Sequence, residues 1–160
     1  MPVRIHRHEK GIDMKVTLIH RPELTDAEVD VKYSQWSTHI SQIKKLLLSA
    51  ETIVSGMCDN VTYQLAPADI YYIESVDKRS YLYGEKAVYE ATERLYQLEE
   101  LLKDAGFVRI SKNCIINQIY LYSIKMLPNS HVEAQLRNGE KVIVTRKYIT
   151  NIREALERTL

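Results

Sequence analysis

Apolar residues recur along this chain at two spacings, and the change from one to the other marks its organisation. Glu28-Val29-Asp30-Val31-Lys32-Tyr33 alternates polar and apolar at period two, as a half-buried strand does. Next, Ile40, Ile43, Leu46, Leu47 and Ala50 share one face at helical spacing, with Ser34 or Ser37 placed to cap the helix. Thr52-Ile53-Val54 and Val61-Thr62-Tyr63-Gln64-Leu65 flank Asp59-Asn60, a hairpin turn signal. The first thirteen residues are polar and basic, and a cleaner pattern opens at Met14, which is where the ordered protein is expected to begin. The expected plan is therefore a disordered leader over 1–13, a small α+β extension over 14–60 and a main domain over 61–160.

From residue 61 the texture is mainly β. Ile70-Tyr71-Tyr72-Ile73 and Ser80-Tyr81-Leu82-Tyr83 are strands joined by the charged turn Asp77-Lys78-Arg79, and the many tyrosines suit a partly wet sheet. Thr92 precedes a helix whose Leu95, Leu98, Leu101 and Leu102 make a core-facing stripe, with Gly106 placed as its left-handed cap. Val132, Ala134 and Leu136 alternate toward Asn138-Gly139, a strong hairpin signal, and Val142 and Val144 alternate away from it. Lys147 onward has the composition of a closing helix.

Net charge is only +1, but it is unevenly spread. Residues 106–153 carry eight cations and two anions, 8 − 2 = +6, while residues 61–105 carry five cations and nine anions, 5 − 9 = −4. A local basic field of this kind is the footprint of a phosphate-binding face. No apolar run approaches the roughly 18 residues that span a bilayer, and no apolar signal core opens the chain, so a soluble, cytoplasmic protein is expected. Cys58 and Cys114 form neither a metal-ligand spacing nor a disulfide framework, as suits a reducing compartment.

Catalytic chemistry has no foothold in the motifs. The five glycines are scattered rather than gathered into a phosphate loop, and there is no nucleophile elbow and no His-Glu helical zinc pair. His6 and His8 lie two apart without a carboxylate or cysteine to complete a metal set, so no cofactor is expected. Glu93, Glu99 and Glu100 read as the solvated side of the leucine helix and Asn117 as a residue that satisfies buried backbone groups, while Arg109, inside an apolar strand run, is equally open to contacting DNA and to pairing with an acidic neighbour. Cys114, beside a polar loop, is read as a buried thiol among isoleucines rather than a redox switch.

What remains is cationic. Phe107-Val108-Arg109-Ile110-Ser111-Lys112-Asn113 and Val142-Ile143-Val144-Thr145-Arg146-Lys147-Tyr148 each set cations at the end of an apolar strand, where side chains project outward. In order along residues 61–156 come Asp69-Ile70-Tyr71-Tyr72-Ile73-Glu74, a basic turn, the leucine helix, the Phe107 run, Ile116-Asn117, the Asn138-Gly139 hairpin and Val144-Thr145-Arg146-Lys147-Tyr148. This series resembles the DNA-binding domain of the LytTR family of bacterial transcription regulators. The resemblance implies an α+β, mainly β fold of small stacked sheets, elongated along the duplex, that reaches successive major grooves of double-stranded DNA by loops rather than by a recognition helix. Matched motif by motif, it implies contacts at Lys78, Arg79 and Ser80, at Ser111, Lys112 and Asn113, and at Arg146 and Lys147. Arg146 suits bidentate reading of guanine; Lys112 suits guanine or phosphate; Lys78, Arg79 and Lys147 suit the backbone.

The chain departs from the family pattern at Ser111-Lys112, where many members have histidine-arginine, and at Asn113, where serine is frequent. A lysine in place of arginine removes bidentate geometry. The extension is too short for the phospho-acceptor receiver domain of the family's response regulators, and in this the chain resembles smaller family members, a resemblance that implies control by homodimerisation through the extension or by a separately encoded membrane partner. The expected function is a sequence-specific transcription regulator, binding as a homodimer to half-sites spaced by multiples of about 10–10.5 bp. The competing reading is a non-enzymatic protein-interaction module built on the extension and the tyrosine-rich sheet.

Overall fold

The computed structural model describes residues 3–9, 12–26, 28–48 and 50–157. They fall into two units, divided after Ser34. In the first, β1 (Val3–Glu9) and β2 (Ile12–Leu18) form an antiparallel ribbon in register from Val3 opposite Leu18 to Glu9 opposite Ile12. The expected disordered leader thus contains a strand, and the expected start at Met14 falls inside β2, because the polar stretch finds its ladder partner in the segment that follows. The side chains of His6 and His8 lie outside the described residues. Residues 28–33 form no strand despite their alternation; Val29 and Val31 are exposed. Period two gives a strand only where a neighbour supplies the ladder and a core takes one face.

The second unit is mainly β. Helix α1 (Thr38–Leu48) is capped by Ser37, whose Oγ accepts the Ile40 N–H at 3.3 Å. A seven-stranded antiparallel sheet follows, built from β3 (Val54–Cys58), β4 (Val61–Leu65), β5 (Ile70–Val76), β6 (Arg79–Gly84), β7 (Val88–Ala91), β8 (Phe107–Arg109) and β9 (Cys114–Asn117). The spatial order is β4-β3-β7-β6-β5-β9-β8, so β3 is joined to the main sheet through β7. The hairpin foreseen at Asp59-Asn60 forms, with φ of 50° and 61° at its two central residues, the left-handed pair that a tight two-residue turn needs.

Both faces of this sheet are covered. On one, α2 (Leu95–Leu102) lays Leu95, Leu98 and Leu102 on Ile70, Ile73, Leu82 and Ile115. Leu101, expected in that stripe, is exposed, because the three buried leucines already define the narrow face this two-turn helix can hide. Gly106 ends the segment at φ 89°, as expected. On the other face pack α3 (Ile149–Glu157) and the three-stranded sheet of β10 (Leu121–Met126), β11 (Val132–Leu136) and β12 (Lys141–Val144), around Tyr72, Ile116, Leu121, Leu136, Val144 and Ile152. Strand β9 is buried at all four positions because its alternate residues feed the two cores, Ile115 one and Ile116 the other. Each such isoleucine or leucine contributes about 1.5–3 kcal/mol on burial.

Two polar details lock the scaffold. Asn117, fully buried, donates through Nδ2 to the carbonyls of Pro67 at 3.0 Å and Ile70 at 3.1 Å and accepts the Ile119 N–H on Oδ1. It serves buried backbone, as its setting in the sequence suggested. At Asn138-Gly139 only Gly139 has positive φ, 90°, and the Gly139 N–H bonds Leu136 O at 2.9 Å, so the turn is a longer loop with a glycine bulge rather than a two-residue hairpin.

Candidate nucleic-acid interface

The β5–β6 hairpin carries the first candidate contacts. Val76 pairs with Arg79, leaving Asp77 and Lys78 at the tip with φ of 48° and 65°. Aspartate tolerates this left-handed backbone; lysine does so at a cost, and the strain sits on a cation that points away from the fold. Arg79 is exposed and makes a 3.4 Å ion pair with Glu90 across the outer face. Ser80 is a correction to the expected set. At 1 % exposure it faces the sheet interior beside Ala91, its partner across β7, because residues 80 and 82 alternate inward with Leu82. It cannot reach a duplex from there.

The second stretch is the turn between β8 and β9. Ile110 and Ser111 both donate backbone N–H groups to the Cys114 carbonyl, at 3.0 and 3.3 Å, and the Asn113 N–H donates to Ser111 Oγ at 3.1 Å. Serine 111 is thereby spent on shaping the turn, while Lys112 and Asn113 are exposed. Arg109 braces the turn from beneath. Its Nε donates to the Ser111 carbonyl at 2.7 Å, one Nη donates to the Lys112 carbonyl, and the other pairs with Glu99 of α2. Glu99 therefore has a structural partner rather than lying idle on a solvated face.

The third stretch leaves β12, whose last residue, Val144, is fully buried. Thr145 is extended and Arg146–Tyr148 form a 3₁₀ turn that runs into α3. Arg146 and Lys147 are exposed, and Lys147 Nζ lies 5.4 Å from the centre of the Tyr148 ring. Among the described residues no carboxylate comes within ion-pairing distance of Lys78, Lys112, Arg146 or Lys147. Arg146 is thus not held as an ion pair anchoring the closing helix.

Two backbone hydrogen bonds draw these stretches together. The Ser75 N–H donates to the Asn113 carbonyl at 2.7 Å, and the Thr145 N–H donates to the Ile110 carbonyl at 2.9 Å. Segments more than thirty residues apart in sequence meet at one end of the sheet, with the 111–113 turn in the middle. Sequence reasoning missed the roles of Ser75, Thr145 and Arg109 as positioning residues; an arginine within an apolar strand, two residues before a polar turn, was the available signal for the last. Cys114 closes the turn from inside. It is buried, and burial, aided by the Glu74 charge and opposed by Arg109, pushes its thiol up to about 12.

Exposed cations on three stretches, joined by backbone hydrogen bonds at one end of a β-sheet, make a basic edge with the charge of a phosphate-binding face. The family profile of the LytTr DNA-binding domain matches residues 60–157. The chain belongs to this family and is a DNA-binding regulator. A solved LytTr DNA-binding domain from Bacillus cereus superposes with a TM-score of 0.61 at 24% identity, over 66% of this chain and 97% of that one. An uncharacterized HTH-type transcriptional regulator of Staphylococcus aureus (strain MSSA476) is 23% identical over 145 residues, 89% of this chain and 98% of the relative. The sensory transduction protein LytT of Enterococcus faecalis is 29% identical over 94 residues, 59% of this chain and 39% of that protein. Despite the helix-turn-helix in the staphylococcal relative's name, the helices α1, α2 and α3 are each separated by strands here. No helix among the described residues is long and apolar enough to cross a membrane.

Proposed function

We propose that this protein is a sequence-specific transcription regulator that lays the 76–79, 111–113 and 145–147 stretches along double-stranded DNA. The observation that carries the reading is the pair of backbone bonds, Ser75 to Asn113 and Thr145 to Ile110, that make three basic stretches one edge. Arg146 reads a guanine in the major groove through its two-pronged guanidinium, Lys112 and Asn113 contact the neighbouring base edge or phosphate, and Lys78, Arg79 and Lys147 hold the backbone. Lys112 in place of arginine makes the central contact less exacting than a fork would.

The regulator acts as a homodimer on paired half-sites. Support comes from α1, which leaves Leu47 and Leu48 exposed, apolar surface that a second copy can cover. Half-sites for such a dimer lie on one face of the duplex, at multiples of about 10–10.5 bp. Selection of bound duplexes from a random library, with wild type and Arg146→Ala side by side, tests the reading. Enrichment of a repeated motif that loses one base preference in the variant supports it. Weak binding without enrichment points instead to a protein-interaction role.

A further inference from the structure

A second concave site lies at the far end of β6 from Lys78, between the turn that follows Gly84 and the 3₁₀ turn Pro67–Asp69. It encloses about 310 Å³. Its walls are aromatic: Tyr71 and Tyr120 meet edge to face at 4.6 Å, and Tyr63 and Tyr89 do so at 5.2 Å. Asp69 and Glu85 supply carboxylates and Lys86 the one cation in the lining.

The site is built rather than incidental. The Tyr120 hydroxyl donates to the Ala68 carbonyl, which fixes that ring against the 3₁₀ turn. The 84–87 turn is closed by a 3.1 Å bond from the Gly84 N–H to the Ala87 carbonyl. A Cβ on Gly84 would stand 2.9 Å from the Asp69 carbonyl oxygen, so glycine is what lets the two turns approach. The pKa of the Tyr120 hydroxyl is raised by burial first, then by Tyr71 and by the charges of Asp69 and Glu85.

Aromatic rings present negative faces, and carboxylates beside them add to the same potential. An anion is disfavoured there by both groups. A bare metal ion is poorly served, since no cluster of three or more His, Cys, Asp or Glu side chains exists among the described residues, and the space far exceeds one ion. We infer that this cleft binds a small organic cation, an ammonium or guanidinium compound, held by the tyrosine rings and the carboxylates of Asp69 and Glu85. Lys86 opposes it as a like charge at the rim. The inference stands independently of the DNA edge.

The test is a titration of the full chain, labelled with ¹⁵N, against tetramethylammonium, choline and putrescine, with acetate and glutamate as anionic controls. At least one cation is expected to give saturable shifts centred on the amides of Asp69, Gly84, Glu85 and Tyr120, while the anions give none. Asp69→Asn and Glu85→Gln should each weaken binding by about fivefold, and Lys86→Ala should tighten it. Absence of a saturable shift with all three cations, equal responses to anions, or weaker binding in Lys86→Ala would each overturn the inference. The wild-type cation and anion arms decide the matter even if a carboxylate variant fails to fold.

Discussion

Arg109 is tied to Glu99, and with its remaining nitrogens it holds the Ser111 and Lys112 carbonyls. One guanidinium therefore connects the leucine helix to the middle of the candidate DNA edge. Its side chain is 17% exposed against 43% for Glu99, so the pair is partly wetted and its worth lies as much in the carbonyl bonds as in the charge.

Arg109→Ala should cost about 1.5–3 kcal/mol of stability, the scale for hydrogen bonds to a charged group, and should loosen residues 111–113. Urea unfolding gives the first quantity and amide exchange the second. DNA affinity should fall although Arg109 itself faces inward. Unchanged exchange in the turn, with normal affinity, would remove Arg109 from its positioning role.

Arg146→Ala should leave unfolding unaltered, since no ion pair is lost, and should weaken the preferred duplex by about 1–3 kcal/mol while flattening preference at one base position. Lys147→Ala should lower affinity on all sequences and reduce the slope of log K against log salt by about one unit. Binding isotherms at several salt concentrations separate the two. A base-selective loss in the lysine variant would show the roles to be exchanged.

Asn117→Ala leaves the carbonyls of Pro67 and Ile70 without their donor in a fully buried site. The expected loss is about 1–3 kcal/mol per orphaned group, visible as a lower urea midpoint. A variant as stable as wild type would mean that water enters and replaces the amide.

The Cys114 thiol, pushed up to about 12 by burial, is almost entirely protonated near neutrality. Thiol labelling at pH 8 should therefore run far slower than for a peptide cysteine, whose pKa is about 8.5. Because the folded value lies above the unfolded one, the native state holds its proton more tightly. The associated stability is complete below about pH 8.5 and declines as pH rises toward 12. Labelling of Cys114 at the free-peptide rate would restore the redox reading set aside above.

Much of this was legible in the chain. The Asp59-Asn60 hairpin, Gly106 as a terminator and Asn117 as a buried amide all follow from local chemistry, and the structure places each so, while of the two serines offered as helix cap, Ser34 and Ser37, it selects Ser37. What sequence patterns cannot supply is the identity of a partner strand. Residues 28–33 alternate well enough for a strand yet form none, whereas residues 3–9, unpromising by composition, are paired with β2. Ser80 shows the same limit at one residue: adjacency to Arg79 put it in the contact set, and alternation across β6 turned it inward. The bonds from Ser75 and Thr145 are backbone events between distant segments and leave no trace in side-chain type.

The most direct test of the shared edge is an NMR titration of the ¹⁵N-labelled protein with a duplex enriched by selection. The amides of residues 77–79, 111–113 and 145–147 should shift together with a single Kd, while Asp59 and Asn60, at the opposite end of the sheet, stay still. Shifts confined to one of the three stretches, or centred on α3 or the Asp59-Asn60 hairpin, would contradict it.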